Sequence, residues 1–598
     1  MQGGKEPLYL RRIKENKMGS KDKIKPMLFS TMKHYSGKQF VTDFISGIIV
    51  AIIALPLSIA LALASGVGPE EGIYTAIVAG FIISFFGGSR VQIAGPTAAF
   101  ATIVAGIIAK NGMEGMILAT IVAGVILILM GVLRLGGLIK FIPYTITTGF
   151  TAGIAVTIFI GQIKDFLGLT YPKGTATIET VDKVKALANN IGTFNKEALL
   201  VGAISLLILI VWPWISQKIP GSLVAVIVGI IVVKYSGMKV NTIGDLYTIS
   251  SHLPTFHAPH FTMSGLSAAM SDGFTIAVLA AIESLLSCVV ADSMINSHHR
   301  SNMELIAQGL GNIGSVLFGG IPATGAIART AANIKNGGRT PIAGMVHSVL
   351  LILVLVFLMP YAALIPMPTI AAILFMVAYN MCQWRTFVHL CKTAPKSDII
   401  VLVVTFILTI VFDLVIAIEI GMGLAILLFM KRMSEESAIT GWVSYDPEED
   451  PDGMNLKPLP KGVRVYEISG PMFFGDAEQI AAIEFTEETN VIILRMRGVP
   501  AVDATAMHSL EQFFERCKRH DVKLVLSHVN EQPRHTMEKD GFIEMVGEEN
   551  FRPHIDAAIE WAGELVKEIE KEEKQEEKKE SKKEDHKDGK KHNKKEEK

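Results

Sequence analysis

The chain has 598 residues, of which 50% are hydrophobic and only 19% charged, and its mean hydropathy is +0.41. That composition excludes a single water-soluble core and points to a protein that crosses a membrane many times. The formal net charge of −1 averages unlike regions, because charges crowd into the first 43 residues, the loops and everything after Lys431, and no nucleic-acid partner is expected.

Residues 1–43 form a basic arm with Arg11, Arg12, Lys14, Lys17, Lys21, Lys23 and Lys25. The arm has no short apolar run followed by a cleavage site, so the first span is expected to direct insertion. A membrane helix needs about 20 apolar residues, and roughly fourteen such runs can be laid over 44–435 if two are allowed to be short. They start near 44, 71, 96, 114, 137, 197 and 219, then near 272, 302, 324, 340, 366, 397 and 414. Seven spans per half force the second half to insert upside down, the arrangement of an inverted repeat.

Two runs are broken by Gly or Pro where a membrane helix should continue, VQIAGPTAAF at 91–100 and IPATGAIART at 321–330. Each follows a Phe-Gly-Gly turn, at Phe86-Gly87-Gly88 and Phe318-Gly319-Gly320, near the third span of its half. Phe141-Ile142-Pro143 is likewise echoed by Leu364-Ile365-Pro366. Paired interruptions of this kind predict two half-helices meeting inside the bilayer around a polar site.

Arg300, Arg339, Arg385, Lys392, Lys396, Lys431 and Arg432 share the side of the arm, which places both ends in the cytosol of a multi-pass plasma-membrane protein. His298-His299-Arg300 is read as a solvated basic turn. After a linker at 436–459, the stretch 460–570 changes to short β-rich runs at 463–468, 491–494 and 524–526, alternating with amphipathic stretches at 477–486, 505–519 and 554–569. This is the pattern of a small α/β domain. The tail at 571–598 is almost wholly charged and is expected to be disordered or a charged helix extension. The four cysteines, at 288, 382, 391 and 517, predict neither a disulfide framework nor a zinc site, and no cofactor or metal is expected.

Several stretches, taken in order, resemble the sulfate permease (SulP) family of anion transporters: Ala54-Leu55-Pro56-Leu57-Ser58-Ile59-Ala60, Gly95-Pro96-Thr97, Glu283-Ser284-Leu285-Leu286, NMELIAQGLGNI at 302–313 and IPATGAIART. The last domain, with GVRVYEISGPMFFGDAEQI at 462–480 and VIILRMRGVPAVDATAM at 491–507, resembles the STAS module carried by that family. The resemblance implies a core and a gate domain that move against each other, an anion held between the starts of the third and tenth helices, and assembly as a homodimer. Family substrates include sulfate, bicarbonate, chloride, oxalate and dicarboxylates.

A helix start offers unpaired amides and about half a positive charge to an anion. The donors are assigned to Thr97, Ala98 and Ala99 in the third helix and to Gly325, Ala326, Ile327 and Ala328 in the tenth, with Ser58 as a further contact. Gln92 and Asn333 are weaker candidates. Arg329 is assigned to substrate attraction, the alternative being an arginine that only pairs with Glu283 or caps an interface. A carboxylate as deep as Glu283 must be protonated, paired or ligating a cation. Sodium-coupled members resemble an Asp, a hydroxyl one turn on, and Gly-Ala-Thr in the tenth helix. This chain has Glu283, Ser287 and Gly325-Ala326-Ile327, which favours a proton carried by Glu283 with Ser287 beside it.

No nucleophile or hydrolytic pair accompanies these residues, and the reading is a non-enzymatic secondary transporter of a small inorganic anion, sulfate first, driven by proton co-transport. Alternatives are a bicarbonate or dicarboxylate transporter or exchanger of the same family, or a membrane anion sensor that signals through its STAS module. In that module Asp503 and Thr505 are candidate regulatory residues. Thr505 stands where related antagonists are phosphorylated, and both residue types also cap helices. A cytosolic partner would dock there.

Overall fold

The computed structural model describes residues 24–592 apart from 138–141, 173–174, 176–178, 217–218, 260–262, 413, 437, 443–458, 474–478, 481 and 487. The basic residues of the arm up to Lys23, Phe141, most of the 436–459 linker, parts of the 477–486 stretch and the last six residues therefore lie outside the described residues. The chain divides into two compact units, Met1–Ala425 and Ile426–Lys598.

Among the described residues a helix stands at each of the fourteen expected spans. They are Gly37–Ala64, Pro69–Phe86, Ala98–Val132, Tyr144–Leu167, Lys196–Ile215, Gly221–Ser236, Met263–Ile295, Ser301–Leu317, Ile327–Lys335, Ile342–Ala362, Met367–Cys382, Lys396–Val411 and Leu414–Glu436. The run Ala98–Val132 serves as the third and fourth spans, because the backbone reverses at Gly112 with φ 70° and ψ −176°. Among the described residues, eight helices are long and apolar enough to cross a membrane by themselves. Others are shorter, down to nine residues in Ile327–Lys335, because a half-helix entering from mid-membrane needs only part of the bilayer thickness.

The helices sort into two bundles. Ala98–Val132 packs on Met263–Ile295 and Ser301–Leu317, and Gly37–Ala64 and Pro69–Phe86 pack on Ile342–Ala362. Separately, Tyr144–Leu167 packs on Met367–Cys382 and Lys396–Val411, with Lys196–Ile215 alongside. The Ile-Pro echo has a structural meaning. Pro143 (φ −61°, ψ 140°) and Pro366 (φ −69°, ψ 138°) precede the first residues of corresponding helices in nearly the same conformation, where a missing amide proton costs nothing. Two amphipathic helices, Thr180–Asn190 and Trp384–Thr393, were not anticipated, because neither is apolar enough to register as a span.

Two short strands, β1 (Ala94–Gly95) and β2 (Thr324–Gly325), lie within the first unit. The second unit is built on five more, β3 (Ala438–Trp442), β4 (Val463–Ser469), β5 (Val491–Gly498), β6 (Lys523–Ser527) and β7 (Phe551–Arg552), ordered 3-4-5-6-7. β3 is antiparallel to β4 and the remaining pairs are parallel. Alternate residues feed opposite faces. Ile492, Leu494, Leu524 and Leu526 join Leu510, Phe513 and Cys517 on one side, and Val465, Val491, Ile493 and Val525 join Ala558 and Ala562 on the other. Burial pushes the Cys517 thiol up to about 12, so it is an inert core residue. The helix Ile555–His592 runs well into the charged tail, in line with the helix extension that is one of the two expectations there. Its Lys and Glu are strong helix formers and need no core to hold that conformation locally.

Candidate anion-binding site

The two interrupted stretches meet and pair. β1 runs antiparallel to β2, with Ala94 opposite Gly325 and Gly95 opposite Thr324, and the Ala326 amide donates to the Ile93 carbonyl at 2.9 Å. Irregular backbone inside a bilayer persists only where protein groups satisfy it, and side chains do so here. The Ile93 amide donates to Thr330 Oγ1 at 3.0 Å, and Asn333 Nδ2 donates to the Val91 carbonyl at 2.8 Å. In the second break the Ile321 amide donates to Thr75 Oγ1 at 2.8 Å. The Ala323 amide donates to Asn312 Oδ1 at 2.9 Å, and Asn312 returns a bond from Nδ2 to the Ala323 carbonyl at 2.8 Å.

The turn before the first break is fixed by Glu304, which has no solvent exposure. Its carboxylate accepts from the Gly88 amide at 2.8 Å, the Ser89 amide at 3.1 Å, Gln92 Nε2 at 3.0 Å and Gln308 Nε2 at 2.9 Å. Four neutral donors replace the counter-ion that a buried carboxylate otherwise requires. A side chain at Gly88 would collide with the Arg300 carbonyl, which explains the glycine in this Phe-Gly-Gly turn.

Both half-helices therefore begin beside the paired strands, Ala98–Val132 after Thr97 and Ile327–Lys335 after Ala326. First-turn amides have no intrahelical partner, which leaves those of Thr97, Ala98, Ala99 and Phe100 on one side and Ile327, Ala328 and Arg329 on the other. The amides of Gly325 and Ala326, assigned from sequence as anion donors, are already engaged. Gly325 donates to Ser284 Oγ at 3.1 Å and Ala326 to Ile93. A serine hydroxyl from another helix took the first and the backbone of the other break took the second. Thr97 and Ala326 are half-buried while Ile327 and Ala328 are exposed, so the tenth-helix start is open to an approaching solute.

Arg329 is only 3% exposed. Its Nη2 donates to the Pro96 carbonyl at 3.0 Å, while Nη1 is buried without a hydrogen-bond partner. Space for the guanidinium comes from Gly95, where a Cβ would strike Nη1. Among the described residues no carboxylate lies within 4.0 Å of Arg329, so the alternative of an Arg329–Glu283 ion pair is not what forms. Glu283 Oε2 instead accepts from Thr97 Oγ1 at 2.9 Å, which puts a carboxyl beside one helix start and a cation beside the other. Ser287 Oγ turns to Thr330 Oγ1 at 3.4 Å rather than to Glu283, so its contribution is to the scaffold of the breaks. Ser58 is fully buried and its hydroxyl has no partner among the described residues.

Gln92 is held by Glu304 and by the Cys288 thiol, and Asn333 by Val91 and Ser46. Both therefore brace the break. Sequence reasoning missed Glu304, Ser284, Thr330, Asn312 and Thr75 as fasteners, although a glutamate in an otherwise apolar helix was a usable signal. The solvated reading of His298-His299-Arg300 needs correction. His299 Nδ1 lies 2.7 Å from Asp292 Oδ2 and Nε2 3.0 Å from Ser301 Oγ, while Arg300 donates to the Lys25 carbonyl at 2.8 Å and to Ser30 Oγ at 2.9 Å. In the second unit Asp503 Oδ1 caps the helix Ala504–Arg519 by accepting from the Ala506 amide at 2.8 Å, and Thr505 is exposed in its first turn.

The sequence matches the sulfate permease family over residues 40–405 and the STAS domain over residues 457–558. A putative sulfate transporter of Bacillus subtilis, YvdB, is 40% identical over 532 residues, covering 88% of this chain and 98% of that one. The bicarbonate transporter BicA of a Picosynechococcus strain is 31% identical over 520 residues, covering 83% of this chain and 90% of the relative. Among solved structures, the transmembrane domain of a cyanobacterial BicA superposes with a TM-score of 0.58 at 29% identity, covering 66% of this chain and 98% of that one. Murine solute carrier 26 family member A9 shares the fold, with a TM-score of 0.80 at 19% identity and coverage of 94% and 96%. The chain belongs to the sulfate permease family of multi-pass membrane transporters and carries a C-terminal STAS domain.

Proposed function

We propose that this protein carries a small inorganic anion, sulfate first, across the plasma membrane together with a proton, and that the anion sits between the helix starts at Ala98 and Ile327. The observation that carries the reading is the β1–β2 pairing, which sets two helix N-termini side by side with an arginine that no carboxylate among the described residues neutralises. A desolvated anion needs donors in place of its water. Two helix starts contribute roughly 0.3–2 kcal/mol each, and a hydrogen bond to a charged group about 1.5–3 kcal/mol, so Arg329 outweighs either start alone. The donors are the first-turn amides of Thr97, Ala98 and Ala99 and of Ile327 and Ala328, with the positive charge of Arg329 behind them. Ser58, buried with a hydroxyl that has no partner among the described residues, is kept as a further contact.

The Thr97–Glu283 hydrogen bond supports proton coupling. An ionised Glu283 would oppose a second negative charge at the same helix start, and a proton on it removes that repulsion. Proton and anion then bind together. Uptake should be fast with acid outside, slow as the outer pH rises, and indifferent to sodium. We place both termini in the cytosol, with a homodimer as the working assembly and the STAS unit as a docking point for a cytosolic partner.

A second reading, bicarbonate as the cargo, is favoured by the 31% identity to a bicarbonate transporter over most of both chains. Labelled sulfate uptake into proteoliposomes, with bicarbonate, fumarate and chloride as competitors and with pH and sodium varied separately, tests both. Saturable sulfate uptake stimulated by acid supports the proposal. Competition by bicarbonate alone transfers the site to the second reading, and anion binding without flux supports a sensor.

A further inference from the structure

A cavity of about 590 Å³ lies within the first unit, away from the paired strands. Its walls come from Thr102–Lys110 of the helix that begins at Ala98, from Ile154 and Thr157, from Asp272 and Thr275, and from the chain around Thr409–Ile416, and the short helix Thr180–Asn190 covers it. Thr102 is one turn along from the candidate site on the same helix, so the chamber adjoins the route to it.

The chemistry of the lining is asymmetric. Thr157, Thr275 and Thr409 donate their hydroxyl protons to the carbonyls of Gly153, Ser271 and Thr405, and Thr157 Oγ1 also lies 3.3 Å from Thr180 Oγ1. Their protons are committed to the protein and are not donors to an anion. Of the lining cations, Lys110 is exposed at the rim, and Lys185 is exposed and 3.9 Å from Asp182. Of the acids, Asp272 accepts from the Asn111 amide at 2.9 Å, and Glu179 is exposed where the cover helix begins. Lys183 differs. It is half-buried, among the described residues it has no carboxylate within 4.0 Å, and its ammonium reaches across to the backbone at Gly161. Burial pushes the Lys183 ammonium down from its ordinary value, with no neighbouring charge holding it up.

We propose that Lys183 is an anion-capture residue, which holds the incoming oxyanion in this chamber before it passes to the helix starts. The inference rests on the transport reading above and adds a second binding position to it. A half-buried cation without a carboxylate beside it, in a low-dielectric chamber, concentrates anions and speeds association in a salt-dependent way. It does not alter the chemistry of translocation. Its signature is therefore in KM and not in kcat.

Two measurements test it. In sulfate uptake at low ionic strength, Lys183→Gln should raise KM about fivefold with kcat retained and should flatten the salt dependence of KM. Lys183→Arg should restore both, and Lys185→Gln should behave as wild type. A Lys183→Gln protein with wild-type KM and salt dependence overturns the inference while leaving transport intact. Independently of flux, sulfate should slow acylation of Lys183 in the purified protein, followed by mass spectrometry, without slowing that of Lys185. Absence of protection at any sulfate concentration overturns the inference even if the protein proves not to transport.

Discussion

The first break, at 91–97, is anchored by a buried carboxylate that gathers two backbone amides and two side-chain amides around Glu304. The second, at 321–327, is anchored by neutral groups, namely Thr75, Asn312 and Ser284. The two also differ in what they present. The first sets Thr97 and Glu283 at its helix start, and the second sets Arg329. Two similar breaks thus carry divided chemistry, a carboxyl group at one helix start and a guanidinium at the other. On the proposed function, an anion that needs both starts would be sensitive to protonation of Glu283 without losing its attracting charge.

The largest expected effect addresses the anchoring. Glu304→Leu leaves four donors buried without an acceptor and should cost about 3–5 kcal/mol, enough to lose monodisperse protein. Thr75→Val removes one neutral acceptor and should cost about 1–2 kcal/mol. Thermal melting in detergent compares them, and equal losses would erase the asymmetry between the breaks. Next, Arg329→Gln should weaken sulfate binding by about 2 kcal/mol, roughly 30-fold, with the melting temperature nearly unchanged. Transport at the wild-type rate and affinity would refute the role of Arg329.

A smaller effect is expected from Gly95→Ala, whose methyl displaces Nη1 of Arg329. Sulfate affinity should fall about tenfold, or ~1.4 kcal/mol, and an unchanged isotherm would show that the guanidinium position is immaterial. Glu283→Gln, neutral at every pH, should leave uptake running down the anion gradient but remove its acceleration by acid. Persisting acid stimulation would transfer the proton to another group. Smallest of all, Thr97→Val should change sulfate affinity by about threefold, in line with one neutral hydrogen bond.

The chain itself displayed the Phe-Gly-Gly turns, the Gly and Pro interruptions and the Ile-Pro helix starts, because backbone constraints are written in local residue types. Ile493 and Val465 fell into strands for the same reason, through alternation. Partners far apart in sequence could not be read that way. Nothing near Gly325 shows that its amide belongs to Ser284, or that Ala326 would be claimed by Ile93. Glu304 looked like a motif residue, and three of its four donors, at Gly88, Ser89 and Gln92, come from a distant segment that only the folded bundle brings to it. The helix Thr180–Asn190 escaped notice because an amphipathic cover over a polar chamber has neither the length nor the hydropathy of a span.

The account stands on an oxyanion lodged between the amides that begin at Ala98 and Ile327. Selenate, a sulfate analogue with an anomalous scatterer, can be located crystallographically in the purified protein. A selenium peak within hydrogen-bonding distance of both helix starts, absent from Arg329→Gln at the same concentration, is the predicted result. A peak elsewhere with those amides unoccupied, or one equally strong in the variant, would contradict it.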